Sequence, residues 1–272
     1  MNLENKIAIV TGAGAGIGRA LCLELAQAGA LVVATDINAD KAMETAALIA
    51  SSGGKAEAFP LDVTCEKDVR DMVSRTVEKH GRLDLMFNNA GVSMGGEVRD
   101  MTSQHFAGIL DVNLSGVIYG TLAAYEVMIR QGFGHIVNTA SYYGLVPLPL
   151  STPYNTSKFA VVGFSTSLRA EAAGLGVKVS VVCPGYIQTD LIKDGVLVRS
   201  TPEDALAQVP FKLYSVTKAA RKIIRGINRN QAVIVFPLHA RLLWWITRIH
   251  PEVLPFASQW MVRRFRRRYR RP

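Results

Sequence analysis

Short apolar segments alternate with longer segments of helical periodicity along most of the chain. Runs of apolar and β-branched residues predict seven strands, at Lys6–Val10, Leu31–Asp36, Ala56–Leu61, Leu83–Asn88, Ile136–Thr139, Val177–Cys183 and Val233–Phe236. Periodic apolar positions predict helices between most of them, at 17–28, 38–51, 66–79, 103–130 and 154–174. Strands that alternate with helices are joined by right-handed crossovers. The pattern therefore predicts an α/β fold, a single doubly wound parallel sheet with helices on both faces.

The first predicted strand runs into a glycine-rich turn that opens a helix. Residues 11–18 fit the spacing T-G-x-x-x-G-x-G, with Ile17 where the G-x-G-x-x-G pattern has its third glycine. Glycine lets the backbone approach a pyrophosphate, and a helix N-terminus offers free N–H groups and a partial positive charge. We predict a dinucleotide phosphate site formed by Gly12, Gly14, Ala15, Gly16, Ile17 and Gly18.

Asp36 ends the second predicted strand, 18 residues after Gly18. A carboxylate at this place accepts hydrogen bonds from a ribose diol and repels a 2′-phosphate. Ile37 follows it and Ala15 stands in the loop, so neither position offers a basic side chain for that phosphate. The sequence therefore predicts NAD in preference to NADP.

Tyr154 and Lys158 are four residues apart, which places them one turn apart on a helix face. A free phenol has a pKa near ~10, and a neighbouring ammonium is expected to lower it. Such a pair suits proton transfer to or from an alcohol or carbonyl oxygen. The spacing alone is weak, because an ordinary exposed helix produces it too.

Together these motifs resemble the short-chain dehydrogenase/reductase family from about Lys6 to Thr189. The matching residues are T-G-x-x-x-G-x-G at 11–18, Asp62-Val63, Asn88-Asn89-Ala90-Gly91, Asn113, Ser141, Tyr154-x-x-x-Lys158 and Pro184-Gly185. The resemblance implies a Rossmann-type sheet of seven strands in the order 3-2-1-4-5-6-7 and an NAD(P)-dependent oxidoreductase acting on CH–OH or C=O groups. It also implies a homodimer or homotetramer paired through the helices that hold Asn113 and Tyr154. Tyr186 departs from the usual aliphatic residue after Pro184-Gly185.

The resemblance implies a role for each motif residue. Tyr154 would be the catalytic acid/base, Lys158 would lower its pKa and bind the nicotinamide ribose, and Ser141 would polarise the substrate oxygen. Asn113 would hold a water molecule in a proton relay. The remaining predicted cofactor contacts are Asp36 and Ile37, Asp62 and Val63 at the adenine, Asn89, Ala90 and Gly91 at the ribose, and Pro184, Gly185, Ile187 and Thr189 at the nicotinamide. The three scattered cysteines show no metal-ligand spacing, and no metal is predicted.

The substrate side of the predicted sheet is rich in apolar residues. We expect its wall to come from 94–97, 142–150 and the segment after Thr189, with residues 190–214 acting as a mobile lid. Such a wall predicts a hydrophobic alcohol or ketone, whether steroid-like, retinoid-like or long-chain. The alternative is that these side chains pack on one another.

The formal charge of +9 is concentrated in the last 35 residues. Residues 238–272 hold nine arginines and a single acid, Glu252, whereas residues 1–237 are almost neutral. We therefore divide the chain into a catalytic domain, 1–237, and a basic amphipathic extension, 238–272. Leu238, Leu242, Trp245 and Ile249 fall on one helical stripe, and seven arginines follow from residue 263 on.

Tryptophan among arginines on an amphipathic helix favours contact of the extension with an anionic membrane surface. The alternatives are that the extension covers the substrate pocket or a subunit contact; nucleic acid binding is not favoured. With no signal-like start and no apolar run of membrane-spanning length, the sequence predicts a cytoplasmic protein, peripheral on the inner face of a membrane if the extension binds lipid. Two alternative functions stay open: a membrane-associated NAD-sensing or scaffold protein with vestigial chemistry, and an NADP-dependent ketoacyl-type reductase.

Overall fold

A computed structural model describes residues 3–268 of the chain. Arg270 and Arg271, which belong to the predicted basic extension, lie outside the described residues. The strands are β1 (Ile7–Thr11), β2 (Leu31–Asp36), β3 (Lys55–Pro60), β4 (Leu85–Asn88), β5 (Met94–Gly95), β6 (Gly134–Thr139), β7 (Val177–Pro184), β8 (Val196–Leu197) and β9 (Val233–Phe236). Seven of them form one parallel sheet in the order β3-β2-β1-β4-β6-β7-β9. Without the short β5 and β8, this is the predicted order 3-2-1-4-5-6-7, so the predicted fold is confirmed.

Ten α-helices surround the sheet in the described part of the chain. They are α1 (Gly16–Gln27), α2 (Ala39–Ser51), α3 (Glu66–His80), α4 (Ser103–Leu110), α5 (Gly116–Gln131), α6 (Thr152–Glu171), α7 (Pro202–Leu206), α8 (Val216–Asn228), α9 (Leu238–Ile249) and α10 (Val253–Arg268). Side chains of a strand alternate between its two faces. Accordingly Ala8 and Val10 of β1 enter one core cluster, with α1 and α8, while Ile9 enters the cluster on the opposite face.

The predicted helix over 103–130 is interrupted. A π-helical turn, Asp111–Ser115, separates α4 from α5. By length and composition alone the stretch Ser103–Gln131 could cross a membrane, contrary to the expectation that the chain has no such segment. In the fold it is a core helix, because Ala124 and Met128 are fully buried in the cluster that also contains Ile9.

The segment predicted as a lid is fastened to the loop that follows β4. Strand β8 pairs in parallel with β5, with Met94 opposite Val196 and Gly95 opposite Leu197. The Arg199 guanidinium lies 3.1 Å from an Asp100 carboxylate oxygen. These contacts join two parts of the predicted substrate wall at the carboxyl ends of the strands, while mobility of the lid remains a prediction.

Candidate active site

The glycine-rich turn after β1 leaves no room for side chains at its closest points. A Cβ on Gly18 would lie 1.9 Å from the Gly12 carbonyl oxygen, and Gly12 and Gly16 have φ angles of +64° and +52°. Helix α1 begins at Gly16 with Ala15 at its N-cap, where no side chain accepts a hydrogen bond, and its first turn contains no acid. The N–H groups of the first turn therefore remain open to an anionic ligand such as a pyrophosphate.

The Asp36 carboxylate is held at the edge of this turn by backbone donors. Its Oδ2 accepts a hydrogen bond from Gly14 N and its Oδ1 from Asn38 N, both at 2.9 Å. Ile37 is 75% exposed beside it. A Cβ on Gly14 would approach both Asp36 Oδ2 and Lys41 Cβ within 2.8 Å, so Lys41 stands near the carboxylate. The sequence reasoning missed this lysine because it considered basic residues only at positions 15 and 37.

The segment after β4 is bonded to the same turn. Asn89 N and Ala90 N both donate to Thr11 Oγ1 at 3.0 Å, and Asn89 Nδ2 donates to the Thr11 carbonyl at 3.1 Å. The Thr11 hydroxyl, to which sequence reasoning assigned no role, thus joins the two predicted ribose and phosphate segments. Asn88 instead is buried and donates to Thr121 and Asn138, which makes it a structural residue.

The other predicted cofactor contacts lie around the same edge of the sheet. Asp62 is exposed just beyond β3, where its carboxylate accepts from Thr64, and Val63 is buried. Pro184 ends β7, and Gly185 lies against Pro237 and Ala240. A Cβ on Gly16 would lie 3.0 Å from Thr189 Cγ2, which brings the segment after β7 to the glycine turn.

Asn113 lies in the π-helical turn and is fully buried. Its amide forms two backbone hydrogen bonds with Val92, each at 2.9 Å, and donates to Ser157 Oγ at 3.2 Å. A Cβ on Gly91 would lie 3.0 Å from Asn113 Oδ1 and 3.4 Å from Lys158 Nζ. The π turn therefore aims Asn113 at the predicted ribose segment and the lysine; single π turns within helices are frequent at functional sites.

Ser141, Tyr154 and Lys158 converge at the carboxyl ends of β6 and β7. The Ser141 hydroxyl lies close enough to the Tyr154 side chain to lower the pKa of the phenol. Lys158 Nζ donates to the Thr139 carbonyl at 3.0 Å and lies 5.6 Å from the centre of the Tyr154 ring. The structure thus brings together Asn113, Ser141, Tyr154 and Lys158, which sequence spacing alone placed on three separate segments.

Burial dominates the protonation of this group. It raises the pKa of Tyr154 to about 12, against the opposite effect of the Ser141 hydrogen bond, and lowers the pKa of Lys158 to about 8. In the chain by itself, burial has the largest effect on the Tyr154 pKa, and the expected lowering of that pKa by Lys158 stays a prediction.

An aromatic row leads from Tyr154 toward the lid. Tyr143 meets the Tyr154 ring edge-on at 5.6 Å between centroids, and its hydroxyl lies 3.0 Å from that of Tyr186. Tyr186 neighbours Phe211 of the lid segment, whose ring stacks on His239 of α9 at 4.0 Å. Sequence reasoning missed Phe211 and His239; the only signal was the unusual tyrosine at position 186.

The predicted apolar wall is in part self-packed. Val146 is buried in a third core cluster, and Leu145 and Leu148 pack against it together with Leu243 and Trp244 of α9. Other wall residues, including Leu191 and Val196, are exposed by 38% and 50%. Glu97 was assigned to the wall, but it is buried and ion-paired with arginines. The alternative that these side chains pack on one another thus holds for Leu145, Val146 and Leu148, and contact of the exposed residues with a substrate stays a prediction.

A family model described as short chain dehydrogenase matches residues 6–196. The chain belongs to this family. The protein SadH of Mycobacterium tuberculosis is 34% identical over 253 residues, covering 91% of this chain and 92% of that protein. The 3-oxoacyl-[acyl-carrier-protein] reductase FabG of Thermotoga maritima is 33% identical over 235 residues, covering 86% of this chain and 95% of that one.

A solved short-chain dehydrogenase/reductase from Burkholderia phymatum, in complex with NAD, superimposes with a TM-score of 0.86. It is 26% identical in sequence, and the match covers 93% of this chain and 96% of that one. This chain is accordingly an NAD(P)-dependent oxidoreductase acting on CH–OH or C=O groups. The open N-terminus of its helix α1, its tight glycine turn and its backbone-held Asp36 fit a dinucleotide. Within residues 3–268, no group of three or more His, Cys, Asp or Glu side chains is placed to hold a metal ion.

Proposed function

We propose that the chain transfers a hydride between NAD(H) and a hydrophobic secondary alcohol or ketone, of steroid-like, retinoid-like or long-chain type. The observation that carries the proposal is the convergence of Ser141, Tyr154, Lys158 and Asn113 beside a glycine turn suited to a dinucleotide. When bound, the nicotinamide supplies the hydride chemistry.

The side chains divide the remaining work. Ser141 donates to the substrate oxygen as negative charge develops on it. Tyr154 gives or takes the proton at that oxygen. The neutral phenol suits donation to a ketone as its pKa stands; acceptance from an alcohol requires added positive charge nearby, which an oxidised nicotinamide ring carries. Lys158 and Asn113 hold the ribose and relay the proton outward.

The cofactor contacts follow from the same placement. Gly12, Gly14, Ala15, Gly16, Ile17 and Gly18 would hold the phosphates, and Asp36, Ile37, Asp62 and Val63 would hold the adenosine. Asn89, Ala90, Gly91, Pro184, Gly185, Ile187 and Thr189 would hold the nicotinamide riboside. Asp36 supports NAD, because its fixed carboxylate accepts from a ribose diol and repels a 2′-phosphate.

The Asp36→Ala variant tests the coenzyme preference. Loss of charge-assisted hydrogen bonds to the ribose should weaken the affinity for NAD by about ten- to hundred-fold, while the affinity for NADP should rise. The Asp40→Ala variant, which removes a nearby exposed carboxylate of α2, is the matched control. Side-by-side kinetics with both coenzymes measure the change. A wild-type preference for NADP would contradict the assignment.

The Tyr154→Phe variant tests the chemistry itself. Without the hydroxyl, turnover should fall by about 10²–10⁴-fold while NAD binding is retained, as measured by calorimetry. Tyr125→Phe, on α5 outside the site, controls for the loss of a hydroxyl group. Undiminished turnover in Tyr154→Phe would refute the role, and NAD binding without any turnover in the wild type would favour the sensing or scaffold alternative.

A screen of lipophilic alcohols with NAD, followed by absorbance of the reduced coenzyme, tests the substrate class. The aromatic row of Tyr143, Tyr186 and Phe211 supports an apolar substrate. Turnover of small polar sugars with none of lipophilic alcohols would contradict it.

Lys41 near Asp36, and the likeness to a ketoacyl reductase, favour a second candidate: an NADP-dependent reduction of ketoacyl thioesters. The same screen with NADPH and an acetoacetyl thioester separates the two.

The assembly is proposed to be a homodimer or homotetramer. Leu122 and Ile129 of α5 and Phe159 of α6 are each about two-fifths exposed, which supports pairing through these two helices. Light scattering on the purified chain measures the mass, and a monomer at micromolar concentration would contradict the proposal.

A further inference from the structure

Helix α9 is apolar on two opposite faces. One face carries Ala240, Leu243 and Trp244 and packs on the third core cluster. The opposite face carries five side chains, each at least 45% exposed, that we term the outer stripe: Leu238, Leu242, Trp245, Ile246 and Ile249. At about 100° per residue they share an arc of about 100°. No other part of residues 3–268 buries the outer stripe. This is unusual, because the apolar faces of a helix are normally buried.

Helix α10 continues this pattern with aromatic and basic side chains. Phe256 is 83% exposed and Trp260 is 60% exposed. Three arginines follow Trp260 at spacings of three, four and seven residues, which places them on its side of the helix. We term these the arginine face: Arg263, Arg264 and Arg267. The Arg264 guanidinium lies 5.5 Å from the Trp260 ring centre. Aromatic rings and cations thus share one surface, on which Arg263 and Arg267 are exposed and Arg264 is half-buried.

The opposite side of α10 is anchored to the catalytic domain. Phe265 is only 3% exposed. Arg266 donates to Glu97 Oε2 from Nε at 2.9 Å and from Nη2 at 2.7 Å, and Arg99 donates to the other carboxylate oxygen of Glu97 at 2.9 Å. Glu97 is itself buried in the loop that follows β5. This anchor turns the arginine face of α10 away from the domain.

The extension also borders the substrate side of the site. His239, next to the outer stripe, stacks on Phe211 of the lid segment. Glu97, which anchors α10, follows β5, the strand paired with the lid strand β8. The extension therefore contacts both the lid segment and the predicted substrate wall.

We propose that α9 and α10 form a docking surface for an anionic lipid bilayer, with the outer stripe in the headgroup region and the arginine face on lipid phosphates. Leucine, isoleucine and tryptophan suit the boundary between headgroups and acyl chains, and arginine suits phosphate geometrically and electrostatically. A second copy of the chain fits less well, because it would set two arginine faces against each other. A nucleic acid would leave the aliphatic side chains of the outer stripe without an apolar partner.

Sedimentation of the full-length chain with vesicles tests this proposal. The probes are vesicles of phosphatidylcholine with a third of phosphatidylserine, and of phosphatidylcholine alone. One variant replaces the three residues of the arginine face, Arg263, Arg264 and Arg267, by glutamine, and a second replaces Leu242 and Trp245 by serine. The matched control replaces three basic residues of helix α8 by glutamine: Lys218, Lys222 and Arg225. Circular dichroism verifies that each variant is folded.

The wild type and the α8 control should pellet with anionic vesicles only, and less so at high salt. Each arginine near an anionic surface contributes about five-fold to the partition coefficient, so the arginine variant should lose about a hundred-fold. The stripe variant should also lose binding. Absence of pelleting in the wild type, or an equal loss in the α8 control, overturns the proposal. So does a change of oligomeric mass in the variants without any vesicle binding, which would identify a second copy as the partner. The assay involves no turnover, so its outcome is independent of the proposed reaction.

Discussion

Replacing Lys158 by methionine should make the protein more stable near neutral pH while removing its activity. Burial lowers the pKa of this lysine from 10.5 to about 8, so below pH 8 the folded chain holds a poorly solvated ammonium. The unfolded lysine binds its proton up to a higher pH than the folded one. Stability contributed by this group is therefore lowest below the folded pKa and rises as the pH increases from about 8 to 10.5.

The size of the effect follows from the two pKa values. The burial cost is about 3 kcal/mol at pH 7 and about 1 kcal/mol at pH 9.5. Methionine has a similar length and no charge, but it leaves the Thr139 carbonyl without its donor, which costs about 1 kcal/mol or more. The Lys158→Met variant should thus gain about 1–2 kcal/mol at pH 7, and its advantage should shrink by about 2 kcal/mol by pH 9.5.

Urea unfolding of both proteins at pH 7 and pH 9.5 measures this difference. Titrations common to the two proteins cancel when the variant is compared with the wild type at each pH. Lys218→Met, which removes an exposed lysine of α8, controls for the loss of a positive charge. Identical pH dependence of the wild type and Lys158→Met would refute the reasoning, since Lys158 would then titrate alike in the folded and unfolded chains.

Two further predictions concern the amino end of the sheet and the glycine turn. Burial alone would raise the pKa of Asp84, but its hydrogen bonds with Arg82 and neighbouring donors hold that pKa below 3.8. Asp84→Asn should therefore lower the free energy of unfolding by about 1–3 kcal/mol at pH 7. Urea unfolding should show this difference from the wild type narrowing below about pH 4. An unchanged pH dependence would contradict this account. Gly18→Ala places a Cβ 1.9 Å from the Gly12 oxygen, so coenzyme affinity in calorimetry should fall at least about ten-fold, and unaltered affinity would mean that the turn adjusts freely.

The stability cost of Lys158 and its position in the site have the same cause. Lys158 lies beside Gly91 and the Tyr154 ring, where it is buried, and burial penalises its charged form. The ammonium is retained because it donates to Thr139 and faces Gly91. Activity and stability therefore make opposite demands on this residue.

The sequence by itself determined the sheet and the set of motif residues. Strand and helix periods are local properties, and the alternation of the two leaves a parallel sheet as the consistent solution. The glycine turn, Asp36 and the Tyr154–Lys158 pair are likewise short-range patterns, each within one loop, strand end or helix turn. This is why a parallel sheet with these residues at its carboxyl edge could be expected before any coordinates, whereas the order of the seven strands was implied by the family resemblance alone.

Only the tertiary structure decided the properties that depend on distant parts of the chain. The π turn at Asn113 follows from packing between α5, α6 and the segment after β4. The upward shift of the Tyr154 pKa follows from burial of that side chain. Arg266 reaches Glu97 across 169 residues of sequence. His239 stacks on Phe211 of the lid segment from a different helix. Such contacts, and the loss of solvent around a side chain, depend on which distant segments pack together. Local periodicity and motif spacing carry no information about that packing.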